Sequence, residues 1–278
     1  MGGDDLTVLC DGRKALNFTA SFLTAFEQQT QKNPTIKAIA KKALNADNLS
    51  ACAGVAIVKP HFPFSVAYEL AESLISSAKT VKKHIQHTSS TQDKPLPYPS
   101  SAIDFHILYD SSNVDLKRIR KTLEISEGNR TAKLTGKPYV ITPTQSDPAA
   151  VDTIADRQWL QQHQWSDFLT KVDCARAINA GDETTIPRSQ AYSLRETLFS
   201  GIGPTDAFLN MLDQRYSIRG NPLLIESPAD SPPSLFRAAI EPNHSTSASS
   251  DAALNSPKKQ ISMTSYLDAL ESVEFIAS

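Results

Sequence analysis

The sequence predicts an α+β fold, and three observations support this prediction. Apolar, partly β-branched runs typical of buried strands occur at Leu6–Cys10, Leu49–Val58 and Ile103–Leu108. Segments with apolar residues at helical spacing lie between these runs. Hydrophobic residues make up 40% of the 278 residues and charged residues 21%, so the chain is able to bury a core. We therefore expect a sheet with helices packed against it.

The first half of the chain alternates strands and helices. The turn Gly2–Asp5 precedes the strand Leu6–Cys10, as in the second half of a β-hairpin. A helix follows, and a second helix covers Pro34–Leu44. The run Leu49–Val58 predicts a strand buried on both faces, because it is almost wholly apolar. The buried stripe of the first helix is predicted at Phe18, Phe22, Ala25 and Phe26, and that of a third helix, Ser65–His84, at Val66, Leu70, Leu74, Ala78 and Val81.

The second half differs in composition. A short strand is predicted at Tyr139–Thr142, and helices are predicted over residues 150–180 and 187–218. Of the 30 residues in Ser227–Ser256, 8 are serine and 4 are proline, which is typical of a disordered arm that is dispensable for folding. We therefore predict three ranges: a sheet domain at 1–148, a helical appendage at 149–225, and at 226–278 a Ser/Pro-rich linker with a short terminal helix.

Composition also limits the class of protein. With 28 basic and 30 acidic residues the formal net charge is −2, which argues against binding nucleic acid through bulk charge. The three cysteines are Cys10, Cys52 and Cys174, and this odd, sparse set without a C-x-x-C pair indicates free thiols in a reducing compartment. No apolar run reaches the length of a transmembrane helix, and no secretory signal pattern is present. A soluble, cytoplasmic protein with no membrane partner is predicted.

The motif Gly2-Gly3-Asp4-Asp5 is the most informative local pattern. Glycines permit a tight turn and a close approach of a ligand to the backbone. The two adjacent carboxylates supply the hard oxygen ligands that Mg²⁺ takes up together with substrate phosphates. A plain surface turn would use the same residue types, so the motif alone leaves both interpretations open.

The wider pattern resembles a known family. The order of strands and helices after the turn resembles that of a ferredoxin-like polymerase or cyclase palm. This resemblance implies a partial ferredoxin-like palm, an antiparallel sheet with helices on one face. The strand Leu49–Val58 with Lys59, and the helix from Ala67 to Lys79, resemble the palm of the large subunit of type III CRISPR effector complexes. The resemblance covers about residues 2–110, and the same layout is shared more distantly with bacterial diguanylate cyclases.

The resemblance implies roles for individual residues. Asp4 and Asp5 match the aspartates that hold Mg²⁺ or Mn²⁺ in the family, Gly2 and Gly3 match the turn that receives ATP, and Lys79 matches a lysine that contacts the triphosphate. The family's function is the synthesis of cyclic oligonucleotides from ATP in antiviral defence. Lys82 and Lys83 extend the helix face of Lys79, and a solvated helix face explains them equally well.

One departure from the family pattern concerns autonomy. A palm of this kind takes a further metal ligand from an acidic residue on its first strand, upstream of the hairpin, and this sequence begins at the turn. Catalysis by two metal ions needs ligands on both sides of the pair. The palm is therefore expected to be N-terminally incomplete and not catalytically autonomous, with a protein partner or a second copy completing it.

Two alternative functions stay open. The segment 117–137 carries seven basic residues and two acidic ones, a net charge of +5, so the chain could be a non-catalytic scaffold that binds RNA through this patch. A diguanylate-cyclase-like signalling domain is the other alternative, although Leu6 follows Asp5 where that family usually has phenylalanine after glutamate.

Five further residues are weaker candidates. Asp104 and His106 share one strand face and could bind a metal, but a structural role is favoured because no third ligand is apparent. His61 could stack on a base, and a loop position without function is favoured. Core packing is the expected role of Trp159 and Trp165.

Overall fold

A computed structural model of the chain describes residues 5–87, 96–109, 114–142, 154–180, 186–216, 218, 221–224, 233–240 and 260–276. It is a mixed α+β structure, as predicted. Its elements, in chain order, are α1 (Gly12–Lys32), α2 (Pro34–Leu44), β1 (Cys52–Ile57), α3 (Phe64–Ala78), α4 (Val81–His84), β2 (Gln86–His87), β3 (Leu96–Pro97), β4 (Ala102–Ile107), α5 (Leu116–Thr122), β5 (Glu124–Glu127), β6 (Arg130–Lys133), β7 (Tyr139–Val140), α6 (Ile154–Gln162), α7 (Trp165–Ala180), α8 (Arg188–Leu198), α9 (Ile202–Tyr216), β8 (Arg237–Ala238), β9 (Gln260–Met263) and α10 (Tyr266–Ser272).

The first sheet has the strand order β1-β4-β7. β1 and β4 run parallel, with Gly54 opposite Asp104, and β7 is antiparallel to β4. This corrects the expectation of an antiparallel sheet with helices on one face. Helix α1 packs Leu16 and Leu23 on the face that carries Ile57, whereas α3 packs on the opposite face, at Gly54. Helices therefore cover both faces.

The two parallel strands differ in how deeply their side chains are buried. β4, the middle strand, is buried throughout except at His106. β1 is an edge strand of this sheet and is half-buried except at Ile57. The prediction of strands in these two regions is confirmed, but β1 is shorter than Leu49–Val58 and its burial on both faces was wrong.

The N-terminal strand prediction was also wrong. Residues 5–11 form no strand, and the side chains of Leu6, Val8 and Leu9 are 63%, 46% and 80% exposed. A strand needs backbone partners, and none of the described strands pairs with this segment. The run of apolar residues alone could not show that this segment lacks a pairing strand within the described residues.

Helix α1 buries a different stripe from the predicted one. Its buried residues are Ala15, Leu16, Leu23 and Thr30, whereas Phe18 and Phe22 are 46% and 39% exposed. The rings of Phe18, Phe22 and Phe26 stack along the outer surface, with successive centroids 6.4 and 6.5 Å apart. Both stripes satisfy the helical period, so the period alone did not decide which one faces the sheet.

The remaining N-terminal helices agree closely with the sequence analysis. Helix α2 has the predicted bounds, and Asn33 caps it by accepting hydrogen bonds from the Thr35 and Ile36 amides. The third helix is interrupted after Ala78 and continues as the short α4. Its predicted stripe is buried at Leu70, Leu74, Ala78 and Val81, while Val66 is half-buried.

A second sheet has the order β5-β6-β9-β8 and brings distant parts of the chain together. β5 and β6 form a hairpin, β9 adds parallel to β6, and β8 adds antiparallel to β9. Helix α10 follows β9, and its Tyr266, Leu267 and Ala269 belong to the largest hydrophobic cluster. That cluster runs from Leu16 of α1 to Ile276, so residues of all three predicted ranges share one core.

The predicted Ser/Pro-rich arm is described only in part. Residues 225–232 and 241–259 lie outside the described residues. Leu235 and Phe236, by contrast, are 2% and 9% exposed and belong to the largest cluster. This burial disagrees with a disordered arm at these two residues, and the dispensability of Ser227–Ser256 for folding stays a prediction. No helix in the described ranges is long and apolar enough to span a membrane.

Candidate functional site

The Gly2-Gly3-Asp4-Asp5 motif lies at the edge of the described structure. Gly2, Gly3 and Asp4 are outside the described residues, and Asp5 is exposed at the start of the segment that leads into α1. The Tyr68 hydroxyl of α3 hydrogen-bonds the Glu72 carboxylate and the Thr7 hydroxyl, and the Glu72 bond, followed by the charges of Glu72 and Asp5, raises the pKa of Tyr68. Asp5 thus lies on the side of the structure near Tyr68, in the first half of α3.

Lys79 lies at the other end of α3. It is exposed at the helix C-cap, where its amide donates to the Ile75 carbonyl at 2.9 Å. Eleven residues separate it from Tyr68, which corresponds to about 16 Å along a helix axis. Burial raises the pKa of the Cys52 thiol while the Lys82 and Lys79 charges oppose that shift, so both lysines lie near the start of β1. The structure does not bring Asp5 and Lys79 together.

Asp104 and His106 occupy structural positions, as the sequence analysis favoured. Asp104 is fully buried and pairs with the Arg120 guanidinium of α5. Burial raises the pKa of Asp104 although Arg120 opposes the shift. Burial, then the charges of Lys137 and Arg120, lower the pKa of His106 to about 4, so the ring is neutral at pH 7. Among the residues that the structure describes, no group of three or more His, Cys, Asp or Glu side chains could hold a metal ion.

A buried polar network around Asp268 has no counterpart in the sequence predictions. The Asp268 carboxylate accepts hydrogen bonds from the Thr135 hydroxyl at 3.0 Å, the Gly136 amide at 2.8 Å and the Tyr139 hydroxyl at 2.8 Å. The Lys137 Nζ lies 3.2 Å from the same carboxylate. Thr135 also accepts a hydrogen bond from Arg120 Nη1 at 3.2 Å, which joins this network to Asp104. The network fixes the segment before β7 against α10.

Sequence reasoning missed this network because its members are remote in the chain. Gly136 and Asp268 are 132 residues apart, and neither stands in a recognisable motif. The one usable signal was the acidic residue in an otherwise apolar terminal segment, Tyr266–Leu270. A buried carboxylate of this kind requires hydrogen-bonding or cationic partners.

The basic segment 117–137 divides into two groups. Helix α5 begins at the cap Asp115, whose carboxylate accepts from the Lys117 and Arg118 amides. The residues of the first group are exposed: Lys117, Arg118, Lys121 and Arg130. The residues of the second group are partly buried and line a cavity: Arg120, Lys133 and Lys137. An RNA backbone could reach the first group, whereas the second faces the interior.

The remaining candidates agree with their structural interpretations. His61 is exposed in a loop with a φ of 66°. Trp165 belongs to the main cluster and packs edge-on against Phe105. Trp159 is stacked between His84 and His163, with ring centroids 4.4 and 3.9 Å away. Burial lowers the pKa of His163 to about 4.

The N-terminal part, with α3 laid across a strand that carries Gly54, is a palm-like partial fold. Comparison with known families supports this class: residues 1–86 match the family model for the second palm domain of Cas10/Cmr2. This match confirms the resemblance to the palm of the large subunit of type III CRISPR effector complexes. It covers less than a third of the 278 residues. No curated protein matches the chain.

Proposed function

We propose that residues 1–86 bind ATP with a divalent metal ion, Mg²⁺ or Mn²⁺, through Asp4 and Asp5, as the palm of a cyclic-oligonucleotide-synthesising large subunit. The observation that carries this proposal is the match to the Cas10/Cmr2 second palm domain, which includes the Gly-Gly-Asp-Asp segment. Gly2 and Gly3 would let the phosphates approach the backbone closely.

The described part of the segment fits a hydrated cation. Asp5 is exposed, and its charge acts on the Tyr68 hydroxyl of α3, so this hard carboxylate donor is accessible from solvent. Mg²⁺ characteristically uses one or two carboxylates, keeps several waters and takes its remaining ligands from phosphates. A bound divalent ion would neutralise the charge of the triphosphate. The aspartates of this chain would hold that ion and thereby orient the nucleotide.

Calorimetry with Mg·ATP tests the metal ligands. Asp5→Asn should weaken the affinity of the chain for Mg·ATP at least tenfold, because a carboxylate ligand is lost, whereas Asp173→Asn should not change it. Asp173 is a suitable control because its carboxylate is exposed and forms an ion pair with Arg176, three residues further along the same helix. No binding by the parent chain, or equal affinities for both variants, would contradict the proposal.

Lys79 tests a separate part of the proposal. Its family role as a triphosphate contact requires it to approach the Gly-Gly-Asp-Asp segment, although Asp5 and Lys79 lie at opposite ends of α3. If they act together, Lys79→Ala should weaken Mg·ATP binding by about 1–3 kcal/mol, the range for charge-assisted hydrogen bonds. An unchanged affinity would exclude Lys79 from the site and leave the metal ligands untouched.

RNA binding by the exposed basic residues of 117–137 is a second candidate function. The supporting observation is that Lys117 and Lys121 are one helical turn apart on α5, both exposed, with Arg118 beside them. Each phosphate contact contributes about 0.7 to the salt slope of binding to a single strand. Replacing both lysines by glutamine should therefore lower the slope by about 1.4. The same change at the exposed Lys32 and Lys42 is the control, and equal slopes would refute the assignment.

A further inference from the structure

We propose that the cavity between α4, α6 and the second sheet is a binding site for a small phosphate-bearing anion, separate from the Gly-Gly-Asp-Asp segment. The cavity has a volume of about 240 Å³. Its walls come from segments far apart in the chain, among them Ser77, His84, Arg120, Lys133, Lys137 and Trp159.

Cations dominate the charged side chains that line the cavity. Arg120, Lys133 and Lys137 contribute three positive charges, and Glu124, which is exposed, contributes one negative charge. His163 also lines the cavity, and its pKa of about 4 makes it neutral at pH 7. Cationic side chains thus outnumber anionic ones in the described lining, and two of the cations also pair with carboxylates outside it.

Two of these cations form ion pairs with carboxylates that lie outside the described cavity lining. Arg120 pairs with Asp104, and Lys137 pairs with Asp268 at 3.2 Å. Both carboxylates are buried, at 0% and 1% exposure, and neither belongs to the cavity lining that the structure describes. The two contacts from Arg120, to Asp104 and Thr135, use two of the five N–H donors of a guanidinium. The wall therefore presents N–H and hydroxyl groups more than carboxylate oxygens.

The opposite wall is rigid and aromatic. Trp159 is sandwiched between His84 and His163, with interplanar angles of 3° and 16°. The His163 Nδ1 lies 3.0 Å from the Pro138 carbonyl, which fixes the orientation of that ring. Both faces of the indole are covered, so this wall gives the cavity a defined shape and leaves the cations to recognise the ligand.

The size and chemistry of the cavity favour phosphate. Pockets for drug-sized ligands usually enclose about 300–1,000 Å³, and this cavity is smaller. The remaining guanidinium N–H donors of Arg120, together with the Lys133 ammonium group, are typical partners of a tetrahedral phosphate. Inorganic phosphate and the phosphate of a mononucleotide share this chemistry, and the experiment separates these two sources.

The test uses the full 278-residue chain in EDTA, so that metal-dependent binding at Asp4 and Asp5 is suppressed. Inorganic phosphate is titrated by calorimetry, and the thermal midpoint is compared with that in sodium chloride of equal ionic strength. We expect saturable binding, with the dissociation constant raised at least about tenfold in Lys133→Gln. Lys42→Gln, an exposed change on α2, should bind as the parent does.

A second variant guards against an effect of Lys133 on folding. Ala239 is half-buried in the cavity wall, and Ala239→Glu would place a negative charge there without removing a cation. This variant should abolish phosphate binding. If AMP displaces phosphate, the ligand is a nucleotide phosphate; if phosphate binds and AMP does not compete, it is the free anion, and both results support the site. No phosphate effect beyond that of chloride, or parent-like binding by both cavity variants, would overturn it.

Discussion

Replacing Gly54 by alanine should strongly destabilise the fold, because α3 rests directly on β1 at this residue. A Cβ atom at position 54 would lie 2.3 Å from the Ala71 carbonyl oxygen, 2.6 Å from the Ile75 amide nitrogen and 2.8 Å from the Leu74 Cβ. Two of these atoms belong to the backbone of α3, so a change of rotamer cannot relieve the clash, and the helix itself must move.

The magnitude follows from two opposing effects. Overpacking a well-packed site costs typically 1–3 kcal/mol and occasionally more, and displacement of a backbone places this site at the upper end. The loss of unfolded-state entropy on changing glycine to alanine returns only about 0.4–1 kcal/mol. We therefore expect a net loss of about 2–3 kcal/mol in the free energy of unfolding of Gly54→Ala.

Urea unfolding followed by circular dichroism measures this loss. Gly203→Ala is the matched control, because a Cβ there meets nothing within 4 Å and the residue lies within α9. That control should change the free energy of unfolding by less than about 1 kcal/mol, because the helix gain of alanine is opposed by the crowding that Pro204 imposes on the residue before it. An unchanged or raised stability of Gly54→Ala would refute the close packing of α3 on β1.

The other predictions concern the buried polar network, a buried histidine and the segment before β9. Asp268→Ala should cost about 3–5 kcal/mol by chemical denaturation, because it strands the buried Lys137 charge, and a loss below 1 kcal/mol would contradict this. The pKa of His163 is about 4 in the folded state and 6.5 in the unfolded state, so the unfolded state binds more protons between these pH values. The free energy of unfolding should therefore fall by up to roughly 3 kcal/mol as the pH falls from 6.5 to 4. Unfolding measured across that range should show this loss in the parent relative to His163→Asn, and parallel curves would count against it. Leu235→Ala should cost about 2–5 kcal/mol, whereas the exposed Leu6→Ala should change stability by less than about 0.5 kcal/mol, and equal small effects would show that Leu235 is not in the core.

Local patterns predicted the parts of the fold that depend on local chemistry. Helix α2 has a proline at its first position and an asparagine cap, so its bounds followed from the sequence. β4 was found because it is short, apolar and buried. The predicted buried face of α1 was wrong, because two apolar stripes fit the same helical period and only the position of β1 selects between them.

Long-range pairing explains what the sequence did not reveal. β9 joins β6, and Asp268 joins the segment before β7, across more than a hundred residues. No local propensity encodes such contacts. The same holds for the cavity, where Arg120 and Lys133 were seen as one basic run with Lys117 and Lys121, although tertiary structure turns the first pair inward and the second pair outward.

Asp4 and Asp5 were predicted to be metal ligands from a motif and a resemblance rather than from geometry. They follow two glycines in the sequence, and this combination of residues is chemically suited to Mg²⁺ whatever the surrounding fold. Lys79 was placed with them by the resemblance alone, and the distance along α3 shows why a role in one shared site cannot be inferred from a helix pattern.

Phosphorus NMR of ATP tests the central claim, that Asp4 and Asp5 hold a metal ion with the nucleotide, most directly. With Mg²⁺ present, the β- and γ-phosphate resonances should broaden and shift on addition of the chain. The effect should disappear in Asp4→Asn and Asp5→Asn and persist in Asp173→Asn. Unperturbed resonances with the parent chain, or a perturbation that survives the loss of both Asp4 and Asp5, would contradict the claim.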